Sequence, residues 1–393
     1  MKTLEATRHA LHRRPEVSGE ERQTAEFIAL ELARTKPDQI WTGLGSETGR
    51  ERHGIAASFE SQRPQDGPTV LFRAELDALP IQESGTPAHR SEVPGVAHLC
   101  GHDGHMTILL GLARRLAERR PARGRVILLF QPAEETGDGA RAVARDPRFE
   151  EIRPDHAFAL HNLPGSPLGE IVLRKGTFNC ASRGLAVHLR GSTSHAAHPE
   201  DGVSPAAAMC ELAMAFTRLH EAPSLTEVAL GAPQGLTLST LIHARLGEVA
   251  FGTSPGEAVV MVTLRAEHDA QMERLSRLAM DEAKRTADRH GLTLKTTWHD
   301  EFRACVNADQ ACDNLSAAAE AEGLVISRLE HPFRWSEDFG SLAESGASLA
   351  MFGLGAGESH PQLHAPDYDF PDALIETGVG MFWQISRGIL GQE

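Results

Sequence analysis

The sequence has little of three things. It holds only five cysteines, Cys100, Cys180, Cys210, Cys305 and Cys312, scattered and without paired spacing. That usage belongs to a reducing compartment rather than to a disulfide framework. Positive charge is scarce as well, with 39 Lys and Arg against 54 Asp and Glu and a formal charge of −15. Such a balance disfavours a general nucleic-acid or anionic-membrane binder. Long apolar runs are missing too: none approaches the ~20 residues of a membrane span. The first residues, MKTLEATRHALHRRPEVSGEE, carry charge throughout instead of the apolar stretch of a secretory signal. The expectation is a cytoplasmic protein with no nucleic-acid or membrane partner.

What is present is a globular composition, 41% hydrophobic and 24% charged. At roughly 150 residues per domain the length suggests two domains, or one large α/β domain with an insertion. Twenty histidines hint at metal or proton chemistry. The chain starts with two expected helices, Leu4–Arg13 and Glu20–Arg34, separated by Pro15; Ser18 can cap the second, with Glu21 three residues on. Strands are expected at Pro68–Leu76, Arg125–Phe130 and His156–Leu160, and a helix from about Gly104 to Glu118 with Ile108, Leu109, Leu112 and Leu116 as its apolar stripe. This alternation predicts a mixed or parallel sheet flanked by helices.

From about Phe178 the rhythm changes. A strand (Gly184–Arg190), a helix (Ser204–Leu219), strands Gly235–Arg245 and Ala258–Ala266, a helix (Ala270–His290) and a strand (Thr293–Trp298) follow in the order βαββαβ. That is the split-βαβ, ferredoxin-like unit. A helix around Asp313–Glu322 and a strand Ala347–Phe352 then resume the α/β pattern. The predicted fold is an α/β domain with a mixed sheet, formed by residues 1–178 and 296–393 and interrupted by a ferredoxin-like lid at 179–295.

Four short stretches carry metal-type ligands. In His98-Leu99-Cys100-Gly101-His102-Asp103-Gly104-His105 a thiol and an imidazole stand two apart where the long helix opens, although a buried free cysteine beside a core histidine would read the same way. Gln131-Pro132-Ala133-Glu134-Glu135-Thr136-Gly137 puts two carboxylates at a strand end, where they are expensive to bury unpaired. If one is fixed on a metal, the other can take a proton from water. His161, after another strand, and His364, in Leu363-His364-Ala365-Pro366-Asp367, could each be structural if taken alone. Together Cys100, His102, Glu135, His161 and His364 form a set suited to Zn, Mn, Ni or Co rather than Mg or Ca, and five ligands exceed one tetrahedral ion. A dinuclear site follows.

With these stretches in view, the sequence resembles the M20 metallopeptidase family, in particular its amidohydrolase branch of hippurate hydrolases, N-acyl-amino-acid deacylases and auxin-conjugate hydrolases. The matching motifs are HRRPEVSGEE, FRAELDALPI, HLCGHDGHMTILLG, QPAEETGDGA, LHNLPGSPLGEI, SEDFG and LHAPDYDFPD, in family order across almost the whole chain. The resemblance implies a zinc-exopeptidase-like catalytic domain and a lid that often dimerises. It further implies that Cys100, His102, Glu135, His161 and His364 hold two divalent metals and that Glu134 is the general base. Asp77 is expected to have a structural role near the site, because Glu75 stands where other branches keep a metal-binding His. Asp103 is expected to orient a ligand.

In GSTSHAAHPEDGVSP the resemblance makes His195 the lid residue that stabilises the oxyanion, while His198 is expected to be solvated. Arg265, in VTLRA, matches a family Arg that could meet a substrate carboxylate, or it could be a surface residue. Two departures fall in the lid: Thr193-Ser194 replace a common Gly-Gly, and Phe251-Gly252-Thr253-Ser254-Pro255 replaces a loop that holds substrate through an Asn. The implied reaction is hydrolysis of an N-acyl amino acid of N-acetyl or N-benzoyl type. A dipeptidase or carboxypeptidase of the same family is the nearer alternative, and a non-catalytic metal-binding scaffold the more distant one.

Overall fold

The apolar runs lie in an eight-stranded sheet of the computed structural model, which describes residues 3–47, 49–222 and 235–391. The chain divides into two units: one up to Phe178 with Cys305–Pro332 and everything from Glu337, the other Asn179–Ala304 with Phe333–Ser336. In the first unit the elements are α1 (Leu4–His12), α2 (Arg22–Ala33), β1 (Gln39–Leu44), β2 (Gly54–Glu60), β3 (Thr69–Glu75), α3 (His102–Glu118), β4 (Arg125–Gln131), α4 (Gly139–Arg145), α5 (Phe149–Ile152), β5 (His156–Pro164), β6 (Ile171–Leu173) and β7 (Gly176–Asn179). The sheet order is β1-β2-β4-β3-β5, continued by β6 and two strands from the end of the chain.

In the second unit β8 (Ala181–Arg190), β9 (Ser194–His195), α6 (Ala206–Thr217), β10 (Thr237–Leu246), β11 (Thr253–Ser254), β12 (Glu257–Ala266), α7 (Asp269–Arg289) and β13 (Thr293–Phe302) follow one another. Its four-stranded sheet has the order β10-β12-β8-β13 with every neighbour antiparallel, which is the ferredoxin-like topology. Along β12 the residues Ala258, Val260, Val262, Leu264 and Ala266 are buried and those between them are not, so one face packs on a core shared with Leu212 and Phe216 of α6 and Leu275 of α7. The far boundary differs from the expected 295, because β13 continues to Phe302 and the unit to Ala304.

The first unit is completed by β14 (Cys305–Asn307), α8 (Asp309–Ala321), β15 (Ile326–Arg328), β16 (Ser348–Gly357) and α9 (Leu374–Leu390), which extend the sheet as β5-β16-β6-β15. Strands β4, β3, β5 and β16 run parallel, so their C-terminal ends share one edge. Val126, Ile127, Leu128, Leu129 and Phe130 of β4 are fully buried, each contributing roughly 1.5–3 kcal/mol, as expected of a strand covered on both faces. Helix α3 packs against α1, α9 and β3, which fixes its N-terminus at that edge. Strands β1, β2, β6 and β15 of this sheet are not among those expected: β2 is rich in small residues, and β6 and β15 have three residues each.

The start of α2 also differs from expectation. Ser18 does not cap it; its hydroxyl donates to Asp77 Oδ2 at 2.7 Å. The cap is supplied by Glu16, whose carboxylate accepts the Thr24 N–H at 2.7 Å and the Thr24 hydroxyl at 2.9 Å. Among the described residues no helix is long and apolar enough to cross a membrane.

Candidate metal centre

The edge formed by β3, β4 and β5 collects the chemistry, as open α/β sheets do at the C-terminal ends of their strands. Gly101, ahead of α3, has φ +99°, and a Cβ there would come within 2.4 Å of Asn162 Oδ1. Only glycine lets the chain turn this tightly against β5, and the turn brings Cys100 and His102 to the Glu134–Glu135 loop. Two residues without that freedom also take left-handed backbone here, Ala133 at φ +51° and His364 at φ +65°. Backbone of this kind persists only where the surroundings hold it, and it gathers at functional sites.

Six side chains converge. Cys100 Sγ lies 3.5 Å from His161 Nε2, His364 Nε2 lies 3.7 Å from Glu135 Oε2, and His102 Nε2 lies 3.9 Å from both Glu134 Oε2 and Glu135 Oε1. Three overlapping groups, Cys100–His102–His161, Cys100–Glu135–His364 and His102–Glu134–Glu135, each have donor atoms within 4.8 Å of one another. The outer ring nitrogens are already engaged: His102 Nδ1 donates to the Asp77 carbonyl at 2.8 Å and His161 Nδ1 to the Asn162 carbonyl at 2.9 Å. Both rings therefore turn Nε2 inward. His102 Nε2 and Glu135 Oε1 are buried with no hydrogen-bond partner. Each such orphan costs about 1–3 kcal/mol unless a ligand completes it. A thiolate, imidazoles and carboxylates with orphaned atoms fit a divalent transition metal.

The electrostatics agree with that fit. Burial, then Glu135 and Glu134, push the Cys100 thiol well above its ordinary range. Burial also raises Glu134, to which Glu337 and Glu135 add, and it raises Glu135 to about 7. It lowers His161 to about 3, which keeps that ring neutral. Burial acts the same way on His102, but Glu75, Asp77 and Glu135 outweigh it and raise the group to about 10. Excess negative charge held out of water is what a bound cation relieves.

The description "Peptidase family M20/M25/M40" matches residues 71–387. The chain belongs to this family. Over 398 residues it is 35% identical to the N-acetyl-L-cysteine deacetylase of Bacillus subtilis (strain 168), covering 99% of this chain and 88% of the relative. It is 29% identical to an N-acetyldiaminopimelate deacetylase of Exiguobacterium sibiricum, covering 95% and 96%. Among solved structures, a dinuclear metal-binding M20 peptidase of Bacillus subtilis superposes with a TM-score of 0.79 at 22% identity, covering 98% of this chain and 97% of the other. That likeness concerns the fold.

Within this M20 chain the expected site residues divide by position. Cys100, His102, Glu134, Glu135, His161 and His364 are brought together, although His161 lies inside β5 rather than after a strand. Asp77 stands behind them, its Oδ2 accepting the Glu135 N–H at 3.0 Å. Asp103 does not orient a ligand: its Oδ2 is taken by Arg8 at 3.0 Å and His12 Nδ1 at 2.9 Å. His195 and Arg265 belong to the other unit. His195 is exposed, and its Nδ1 accepts the Ala197 N–H at 3.1 Å, so the ring proton sits on Nε2. Arg265 is half-buried, and its Nη1 donates to the Arg334 carbonyl and the Ser336 hydroxyl, both at 2.9 Å.

Sequence reasoning missed the buried scaffold under the centre. Arg73 joins Glu75, Glu337 (2.5 Å), Asp338 (2.7 Å) and Gln131 (2.9 Å), and Glu75 accepts from His105 Nδ1 at 2.7 Å. His105 Nε2 in turn meets Asn162 Oδ1 at 2.6 Å, on the residue after His161. The signal was present in FRAEL: Arg73 and Glu75 alternate along a buried strand, where charge persists only if paired.

Proposed function

We propose that the chain hydrolyses the amide bond of N-acyl amino acids, with Glu134 as the general base. That it is a metal-dependent amidohydrolase comes with family membership; the substrate class and the roles below are the proposal. One observation carries it: five donor side chains converge, four of them wholly or partly buried and His364 exposed at the edge, with His102 Nε2 and Glu135 Oε1 lacking a hydrogen-bond partner, and the Glu134 carboxyl lies beside them.

Divalent ions, held when bound by Cys100, His102, Glu135, His161 and His364, would polarise the substrate carbonyl and acidify a water. Glu134, raised by burial and by Glu337, is suited to take the proton from the attacking water at Oε2 and pass it to the departing amine. His195, with its proton on Nε2, is the proposed donor to the oxyanion. Arg265 is the proposed partner of the substrate carboxylate. The relatives named for N-acetyl compounds support an acetyl group as the acyl portion. A cytoplasmic location is proposed with this reading, supported by five cysteines of which none forms a disulfide. A homodimer through the second unit is proposed as well, supported by the exposed Ile242, Val249 and Phe251.

The test is an assay of purified protein, loaded in turn with Mn, Zn, Ni or Co, on N-acetyl and N-benzoyl amino acids and on unblocked dipeptides. Turnover of the acylated compounds is expected. Turnover of dipeptides alone would move the function to an exopeptidase, and a metal-free, inactive protein would make it a scaffold.

A further inference from the structure

The motif HRRPEVSGEE takes no part in the chemistry above, yet its last residue, Glu21, is fully buried. Glu21 Oε1 accepts the Gly19 N–H at 2.8 Å and, across 112 residues of sequence, the Ala133 N–H at 2.8 Å. Ala133 immediately precedes Glu134 and has φ +51°, a conformation that costs a non-glycine residue of order 1 kcal/mol and needs support. On the other side of Glu134, the Glu135 N–H goes to Asp77 Oδ2 at 3.0 Å, and the same oxygen takes the Ser18 hydroxyl at 2.7 Å. Glu134 thus stands between two backbone N–H groups, each tied to a buried carboxylate. Glu21 is one of those carboxylates, and Ser18 anchors the other.

The bracket is itself fixed. Glu16 of the same motif caps α2 through Thr24, and its carbonyl accepts the Ala78 N–H at 2.8 Å, next to Asp77. Behind the loop, Gly139 closes on Ala133, donating its N–H to the Ala133 carbonyl at 3.0 Å. If the Glu21 acceptor is removed, the Ala133 N–H is left buried without a partner, and one of the contacts that hold the strained φ is lost.

We propose that Glu21 is a positioning residue for the general base, holding the Ala133–Glu134 peptide in the turned conformation that aims the Glu134 carboxyl at the donor cluster. The proposal rests on the function assigned above. It also separates two properties of Glu21: what matters is its acceptor oxygen, not its charge. Burial and Asp77 raise this carboxyl to about 7, so a neutral amide is a close substitute.

The test compares metal-loaded wild type, Glu21→Ala and Glu21→Gln by steady-state kinetics on an N-acyl amino acid, metal content, and hydrogen exchange of the peptide spanning 131–137. Glu21→Ala should lose at least about tenfold in kcat at unchanged KM and metal content, since misplacement of a reacting group is costly. Its Ala133 amide should exchange about tenfold faster. Glu21→Gln should restore most of the rate and the protection. Equal impairment of the Ala and Gln variants would overturn the proposal, and so would an unchanged kcat or unchanged exchange in Glu21→Ala. Should Glu21→Ala fail to fold, Ser18→Ala tests the other arm: faster exchange at the Glu135 amide with lower kcat supports the bracket, and no change in either contradicts it. If wild type turns over no N-acyl amino acid, the functional reading falls, and the exchange comparison still decides whether Glu21 holds the loop.

Discussion

The first turn of α3 separates two buried polar regions. His102 enters one, with Cys100, Glu134, Glu135, His161 and His364; Asp103, the next residue, enters the other, with Arg8, His12, Asp369 and Asp372. In the second region opposite charges meet. Arg8 donates to Asp103 at 3.0 Å, to Asp369 at 2.8 Å and to Asp372, while His12 holds Asp103 at 2.9 Å and Glu83 at 3.3 Å. In the first region the Glu134 and Glu135 carboxyls crowd around one imidazole at 3.9 Å, and His102 Nε2 and Glu135 Oε1 have no hydrogen-bond partner. The comparison teaches that burial of charge is tolerated in two ways. One region is largely neutralised within the chain, although Asp103 Oδ1 is buried without a partner, and the other is the proposed cation site.

The comparison breaks most visibly if the closed region loses its cation. Arg8→Met should destabilise the protein by about 3–5 kcal/mol, since three carboxylates would lose their buried partner. The loss should be of similar size with and without metal, as read from denaturant midpoints. A loss seen only in the metal-loaded form would mean that the two regions are one.

A somewhat smaller effect sharpens it through pH. His12 is buried, which by itself lowers its pKa, but Asp103 and Glu83 overcome this and raise it from 6.5 to about 9. A raised folded-state pKa stabilises fully below the unfolded value, and that contribution is lost as pH climbs through the folded one. Stability should therefore fall by about 3 kcal/mol between pH 6.5 and 9. His12→Gln should flatten that slope when unfolding is followed across the same range, and an equally steep slope in the variant would place its origin elsewhere.

Much of this was legible in the sequence, for reasons that particular residues make plain. The RVILLF run of β4 announces a strand covered on both sides, and the candidate ligands and base sit in short contiguous motifs, so Cys100, His102, Glu134, Glu135, His161 and His364 are legible as candidates in the sequence. Partnerships across the chain were not legible. Asp103 is adjacent to His102, but a helix turns about 100° per residue, and this carries the carboxylate to Arg8 instead of to the metal centre. Ser18 fitted a capping pattern, yet its partner is Asp77, a residue no local rule could select. The 295 boundary falls inside β13, whose pairing with β8 reaches Phe302, and it is this pairing that keeps the strand with the second unit. Local pattern fixes elements and ligand types; long-range hydrogen bonds decide which face each residue serves.

The central claim is that the open region is a metal site served by Glu134. It is tested most directly by measuring bound divalent metal per subunit and N-acyl amino acid turnover in Cys100→Ala and Glu134→Gln, beside wild type. The account predicts that Cys100→Ala loses both metal and activity, while Glu134→Gln keeps the wild-type metal content and loses at least about 10²-fold in turnover. Wild-type metal content in Cys100→Ala, or near-normal turnover by Glu134→Gln, would contradict it.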